Sequence, residues 1–577
     1  MAVRQVIPPV FQLFIAICDC FTLVLSKSFP VQIQIRIDNF TAMNDLTISE
    51  LIKFHGEEQG DSPALIYAGN TTCYTELISM GQRAARGLSN LGVSHGDRVA
   101  FWLPNCPAYV VLYLACAQLG AIAVAVNTRF RSTEVADILS RSGATCLIIW
   151  PDFRDINFLQ ILEELDKTAL QNLRTIICYG EEETPSELSP FPSQIEKITY
   201  SELVQSQPLL KNHSTPTSGC NIFTTSGTTK APKFVLHTHQ SITNHALAIW
   251  RNLEQIIDNG VFFHTLPFCG VFGFNHLSAA LAGGKASVIQ SAFDAIDAVA
   301  LIDKYQVHYL SATDDMLLTL LDADLRDSAM PSLVCCGYGA FNLPAEEITK
   351  KARQKGVTLV GLYGMSEVQA LYARRSHELT PGLRYLPGGK LVSRQAKVRV
   401  RNPDTGDLLP HNQSGELEFK GPSLMKEYFG DQPATSESFT NDGYLRSGDL
   451  GYTTSKSEFV FEARMGDTLR LGGYLVSPAE IENVITEYKA IEAAQVVAVR
   501  VSNKMQPYGF VVAKNDMEIN DELLRAHCEE RIAKFKVPVA FQCIAQFPTT
   551  KSPNGTKIQR AKLRQMAEEA LEYDALD

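Results

Sequence analysis

The chain has 577 residues, 45% of them hydrophobic and 20% charged, with 52 Lys and Arg against 63 Asp and Glu for a net charge of -11. At about 100–200 residues per domain, this length predicts about two to four domains with several buried cores. The acidic balance excludes a nucleic-acid partner, because a phosphate polymer needs a basic face; a small anion held by a local loop of backbone N–H groups stays open.

The stretch VIPPVFQLFIAICDCFTLVL (Val6 to Leu25) is apolar between Arg4 and Lys27, as in a signal sequence or a membrane anchor. Pro8 and Pro9 at its start and Asp19 inside it oppose both, since a carboxylate in lipid is costly. Met43 reads equally well as a natural start. Residues 1–42 are therefore expected to be a leader or an upstream extension outside the catalytic fold, with membrane contact only if residues 6–25 are retained. Thr47 and Glu50 have capping-box spacing ahead of an amphipathic helix.

TELISMGQRAARGLSNLGV is then read as a helix ending at Gly92, DRVAFWL as a buried strand, AYVVLYLACAQLGAIAVAV as helix running into strand, and ATCLIIW as a strand. Such alternation implies βαβ units and a largely parallel sheet. The Ser-, Pro-, Glu- and Gln-rich chain between 180 and 220 reads as an exposed connection. VFFHTLPF, ASVIQ, VHYLSA, SLVCCGYG and TLVGLYG then read as strands. After about 385, KVRVRNPDTGDLLPHNQSGELEFKG is strand, Pro-Asp-x-Gly turn, strand, which signals antiparallel structure.

Past 466 come SPAEIENVITEY, with Ser477 as cap and Pro478 in the first turn, then AQVVAVRV, YGFVVAK and the helix INDELLRAHCEERIAKF. The predicted architecture is α/β: a large domain over 43–465, made of two layered α/β subdomains and a β-rich subdomain over about 385–465, and a small mobile α+β domain over 466–577. The 13 cysteines show no zinc spacing, and reduced thiols in a cytoplasmic protein are expected.

FTTSGTTKAPKFVLHTH (Phe223 to His239) carries the strongest chemical signal. Hydroxyls, glycine and lysines suit a loop that wraps phosphate. Alone the signal is weak, because Gly-x4-Gly-Lys-Ser/Thr is absent and a polar surface turn has the same composition. Four later stretches strengthen it: GLYGMSE (361–367), GYLRSGDLGY (443–452), EARMGDTLRLGGYLVSPAEIE (462–482) and PNGTKIQRAKLR (553–564). In this order the five motifs resemble those of the adenylate-forming superfamily of acyl-CoA synthetases, 4-coumarate-CoA ligase, luciferase and peptide-synthetase adenylation domains. The resemblance runs from about Leu46 to Arg564.

That resemblance implies ATP-dependent activation of a carboxylic acid, with ATP, Mg2+ and CoA as the small-molecule partners. Thr225, Ser226, Gly227, Thr228, Thr229 and Lys233 look like the pyrophosphate-side loop, Tyr363 with Gly364 like the aromatic against adenine, and Asp449 with Arg464 like the ribose pair. Glu367 resembles the magnesium carboxylate, beside Ser366 in place of the commoner Thr, and Lys557 matches the catalytic lysine. Gly466 falls at the hinge, and Gly472 and Gly473 at the segment lining a pantetheine tunnel.

Two departures stand out. Lys230 and Phe234 replace glycines of the loop pattern, with Phe234 expected to pack beneath the loop. Gly270 stands where many relatives carry His, so an aromatic gate there is in doubt; His264 is a substitute or a satisfied core histidine. With Phe268, Phe272 and Phe274 nearby, neutral Asn275 in place of an acid, and Gly337 and Gly339 in GYGA flanking the acyl group, the pocket reads as apolar, for a fatty or aromatic acid. Alternatives are a stand-alone adenylation enzyme that loads a carrier protein in trans and a non-catalytic nucleotide-binding protein.

Overall fold

The computed structural model describes residues 45–154, 156–180, 194–224, 232–257, 259–339, 345–465, 469–471, 474–476, 478–501, 504–514, 517, 519–532, 534–552 and 555–574. The chain divides into two units, Met1–Leu46 and Thr47–Asp577. The Val6–Leu25 segment, Ser477 and Lys230 lie outside the described residues. Among those described, no helix is long and apolar enough to cross a membrane.

Thr47 opens the first helix, Ile48–Gln59, through the capping box read from its spacing: the Thr47 amide donates to Glu50 at 2.8 Å, and the Glu50 amide donates to the Thr47 hydroxyl at 3.3 Å. The helix Tyr74–Asn90 ends just before Gly92, whose φ of +82° only glycine adopts without strain.

Two sheets organise the chain between Pro63 and Arg464. An eight-stranded sheet runs Glu427–Tyr428, Phe234–Thr238, Gly219–Thr224, Ile122–Ala125, Arg98–Trp102, Cys146–Ile149, Thr175–Cys178 and Glu196–Thr199 in spatial order. It is parallel from Gly219–Thr224 onwards, as βαβ alternation requires. The chain between 180 and 220 is thus more than a connection. Its strand Glu196–Thr199 forms one edge, and the charges of Glu196 and Lys197 that hid it are those that keep a sheet edge from pairing further.

The second sheet has fourteen strands. Cys335–Gly339 lies near its centre, beside Tyr309–Thr313 and Leu359–Met365 in parallel. Beyond Leu359–Met365 the neighbours turn antiparallel: Gln369–Arg374, Gly388–Leu391, Glu458–Arg464, Leu445–Ser455 and Gly415–Lys420. The β-rich region expected as its own subdomain is therefore hydrogen-bonded into the second α/β sheet. Hairpin signals report local pairing and cannot report which outer edge a hairpin joins.

Separate apolar cores lie on the two sheets, one around Trp102, Leu147 and Phe158, another around Phe263, Leu310 and Tyr338. From Leu469 onwards the chain has cores of its own, around Ile481, Val496 and Phe541 and around Phe510 and Leu563. Its last predicted helix is shorter than read, spanning Asp521–Glu529 with Asn520 as cap.

Candidate active site

Strand Leu359–Met365 carries Tyr363 on a buried face, its ring against Phe419, Phe459 and Phe461. Its hydroxyl donates to Asp449 Oδ2 at 2.5 Å, and Arg464 donates to the other carboxylate oxygen at 2.7 Å. Asp449 and Arg464 are directly opposed across the antiparallel pair Leu445–Ser455 and Glu458–Arg464. Asp449 is 3% exposed, while the Arg464 side chain is half exposed. The Asp449 charge, against the burial that opposes it, raises the Arg464 guanidinium above its ordinary range. Burial first, then Asp449, pushes the Tyr363 phenol well up, so it stays a donor. At Gly364 the neighbouring strand takes the space a side chain would need, since a Cβ there would stand 2.4 Å from Ala370 Cα.

After Met365 the chain turns through Ser366, Glu367 and Val368. Glu367 is buried, accepts from the Tyr428 hydroxyl at 2.8 Å through Oε1, and has no hydrogen-bond partner on its other carboxylate oxygen among the described residues. The Tyr428 ring also takes the Lys233 ammonium 4.2 Å from its centroid. Strand Glu427–Tyr428 reaches this point by pairing with Phe234–Thr238, so Lys233 and Glu367, 134 positions apart in sequence, meet on one tyrosine. Burial, then the Glu367 charge, raises the Tyr428 phenol, and Glu367 also acts on Arg464 and Tyr363. Tyr363 near the end of strand Leu359–Met365 and Glu367 on the turn that follows it set the two clusters at one strand end.

The turn is suspended by side chains that carry no recognisable motif. His237 Nε2 donates to the Ser366 carbonyl at 2.8 Å, and His245 Nε2 donates to that of Ala370 at 2.7 Å. Between them Gln369 has φ +74°, a left-handed value disfavoured for a side-chain-bearing residue and met mostly where surroundings enforce it. Its amide donates to Ser241 and Ser423 carbonyls and accepts from Asn275 at 2.8 Å. Asn275, read as a neutral pocket residue, thus ties helix Val271–Ala282 to the turn. Burial lowers His237 to about 4, so its ring is neutral at physiological pH.

Of the pocket candidates, Gly270, Phe268 and His264 adjoin the helix Val271–Ala282. Gly270 is its N-cap and supplies no side-chain bond. The Phe268 ring packs on Tyr109 and His264, and its amide donates to Asn105 at 2.7 Å. Gly339 ends strand Cys335–Gly339, and Gly337 is forced by contact: a Cβ there would sit 2.7 Å from the Tyr309 hydroxyl and 2.9 Å from Ser311 Oγ. His264 is buried, but it is no satisfied histidine, because neither ring nitrogen has a hydrogen-bond partner among the described residues. Phe234 does begin a strand as a buried ring, with the Arg141 guanidinium 4.3 Å over it.

Thr225, Ser226, Gly227, Thr228 and Thr229, the hinge Gly466, and Gly472 and Gly473 lie outside the described residues. Lys557 sits in strand Gly555–Ile558, opposite Thr550 in a hairpin, and its side chain lies outside the described part. Three residues on, Arg560 donates to both oxygens of buried Glu482, at 2.9 and 3.2 Å.

Two family models match the chain in succession. The model of an AMP-binding enzyme matches residues 53–429, and that of an AMP-binding enzyme C-terminal domain matches residues 480–553. Among similar proteins, 4-coumarate–CoA ligase 4 of Arabidopsis thaliana is 25% identical over 521 residues, covering 85% of this chain and 87% of its own. The 2-succinylbenzoate–CoA ligase of Bacillus subtilis (strain 168) is 27% identical over 502 residues, covering 87% and 94%. The fold is similar to that of ATP-bound MatB from Rhodopseudomonas palustris, with TM-score 0.78 and 21% identity, covering 91% of this chain and 100% of that one. It is also similar to MenE from Bacillus subtilis in complex with ATP and magnesium ion, with TM-score 0.73 and 24% identity, covering 90% and 99%. With the large-domain model spanning well over half its length and the C-terminal model following, this chain belongs to the AMP-binding enzymes, the adenylate-forming superfamily.

Proposed function

We propose that the chain is an AMP-forming acid–thiol ligase. It activates a hydrophobic carboxylic acid, fatty or aromatic, to an acyl-adenylate with release of pyrophosphate, and then transfers the acyl group to CoA. The observation that carries this reading is the placing of two clusters, Lys233 with Tyr428 and Glu367 and Tyr363 with Asp449 and Arg464, at the end of strand Leu359–Met365. It supplies a cation for phosphate, a hard carboxylate, and a paired acid suited to a diol.

A carboxylate is a poor electrophile, so the enzyme must hold a polyanion, align an in-line displacement and offset charge growing on the α-phosphate. Thr225 to Thr229 and Lys233 bind the leaving phosphates. Tyr363 and Asp449 bind the nucleoside, with Arg464 orienting the Asp449 carboxylate. Ser366 and Glu367 face the phosphates. Glu367 fits a magnesium ion, being a buried hard oxygen with one carboxylate oxygen unengaged. Among the described residues no group of three His, Cys, Asp or Glu side chains forms a metal cage. When bound, magnesium supplies positive charge against the phosphates.

Lys557 places an ammonium between the incoming carboxylate and the α-phosphate. The small domain, residues 466–577, brings it there by rotation about Gly466, and the second half-reaction passes the thiol along Gly472 and Gly473. Acid-dependent pyrophosphate–ATP exchange tests the reading: wild type exchanges and Lys557→Ala falls by orders of magnitude. CoA then yields a thioester, and a product formed only with a carrier protein would replace CoA as acceptor. No exchange with any acid of a graded chain-length and aromatic series overturns the proposal.

A further inference from the structure

The hairpin that carries Ser366 and Glu367 is closed by a residue whose backbone argues for glycine and whose side chain argues against it. Met365 pairs with Gln369, which leaves three residues in the loop. A left-handed residue commonly closes such a loop, and glycine takes that conformation without strain. Here the left-handed position is Gln369, at φ +74°, with Leu371 at +59° two residues on. Neither Glu367 nor its neighbours Ser366 and Val368 belong to a strand or helix, so atoms elsewhere have to hold them in place.

The Gln369 side chain is fully buried, and both of its polar atoms are engaged. Nε2 donates to the Ser241 carbonyl at 2.8 Å and to the Ser423 carbonyl at 3.1 Å. A carbonyl only accepts, so the amide has a single workable orientation. Oε1 accepts from Asn275 at 2.8 Å, and Asn275 accepts from the Ala370 amide at 2.8 Å. Ser241 and Asn275 fasten the amide to the helices His239–Glu254 and Val271–Ala282. Ser423 leads towards the carboxylate. Two residues on, the Met425 amide donates to the Glu367 carbonyl at 2.7 Å, and Tyr428 donates to Glu367 Oε1 at 2.8 Å. The stretch from Ser423 to Tyr428 is thus held by Gln369 at its start and holds Glu367 by both backbone and carboxylate.

We propose that Gln369 is a positioning residue for magnesium-dependent nucleotide binding. It acts through Ser423, Met425 and Tyr428, which set where Glu367 points, and not by contact with the nucleotide. A strained backbone is kept at this position because only a side chain with two donors and an acceptor ties the turn to three other segments at once. The inference rests on the ligase reading above, with Glu367 as the carboxylate that faces the metal.

The test reads equilibrium binding by calorimetry, using α,β-methylene-ATP in magnesium or in EDTA, and AMP in EDTA. Wild type is expected to bind the triphosphate about tenfold tighter or more with magnesium than without it. Gln369→Met keeps the length of the side chain and loses all three hydrogen bonds, while Gln369→Gly also relieves the strain, which offsets part of the stability lost. In both, the magnesium factor falls below about threefold, with the Kd for AMP within about twofold of wild type. Asn275→Ala removes the bond to Oε1 from a helix that accepts alanine, and it loses part of the factor. Where neither Gln369 variant folds, Asn275→Ala decides. A magnesium factor unchanged in the folded variants overturns the inference, as does an AMP affinity that falls equally, which marks a general loosening of the site. Wild type that binds AMP but gains nothing from magnesium defeats the role of Glu367 and this inference with it; wild type that binds no nucleotide defeats the ligase reading beneath both.

Discussion

Replacing Asp449 by Asn removes a charge without removing volume, and the structure sets what is lost. Both carboxylate oxygens accept from a donor, Arg464 at 2.7 Å and Tyr363 at 2.5 Å. An Asn side chain has one acceptor, so its NH2 group must face one of those donors. Breaking a fully buried ion pair costs about 3–5 kcal/mol, but the Arg464 side chain is 51% exposed and water takes up part of its charge. A loss of about 1.5–3 kcal/mol, the value of a hydrogen bond to a charged group, is the appropriate scale. If the same carboxylate binds the ribose hydroxyls, kcat/KM for ATP falls by about 10–100-fold, at 1.4 kcal/mol per tenfold. KM for the acid changes little. Pyrophosphate exchange at varied ATP, with a melting curve as control, reads both numbers. A kcat/KM for ATP within twofold of wild type in the folded variant refutes the nucleoside role of this pair.

Tyr428→Phe deletes the donor to Glu367 and keeps the ring under Lys233; exchange activity is expected to fall about tenfold and to need more magnesium, and an unchanged magnesium titration contradicts the role given to Glu367. Gly337→Ala brings a Cβ to 2.7 Å from the Tyr309 hydroxyl, so overpacking of about 1–3 kcal/mol lowers the Tm and raises KM for the acid more than for ATP; equal effects on the two would move Gly337 out of the acid pocket. Burial lowers His239 to about 3, His245 to about 4, His276 to about 3 and His264 well below its usual value. The unfolded chain binds these protons near pH 6.5, so their contribution to stability is full above that pH and is lost as pH falls towards 4. The Tm should drop steadily between pH 6.5 and 5, and a flat profile would contradict neutral burial. Arg560→Ala leaves buried Glu482 without its bidentate partner near Lys557 and is expected to weaken both half-reactions; a loss of thermal stability alone would separate that pair from catalysis.

The parts of this site that could be read from the chain are those whose chemistry is local. Glycine, hydroxyl and lysine crowded into 223–239 suggest an anion loop, most of which lies outside the described residues, and alternating apolar runs announce the strands on either side of it. The capping box at Thr47 and Glu50 is equally legible, because all of its atoms lie within one turn. What escapes is what depends on distance. His237 lies inside the same quoted stretch, yet its partner is the Ser366 carbonyl, 129 positions on. Tyr428 reads as an ordinary aromatic until its short strand pairs with Phe234–Thr238 and brings it beneath both Lys233 and Glu367. His264 is legible as buried but not as unsatisfied, since periodicity reports exposure and says nothing of hydrogen-bond partners. The strand Glu196–Thr199 stays hidden because an edge strand with charged residues has the composition of a loop.

The central claim, that an acid oxygen attacks the α-phosphate of ATP, is open to one direct measurement. With an acid active in exchange and labelled with oxygen-18 on both carboxylate oxygens, a single turnover with CoA should leave one label in AMP, one in the thioester and none in pyrophosphate. Label absent from AMP, or found in pyrophosphate, would contradict the account.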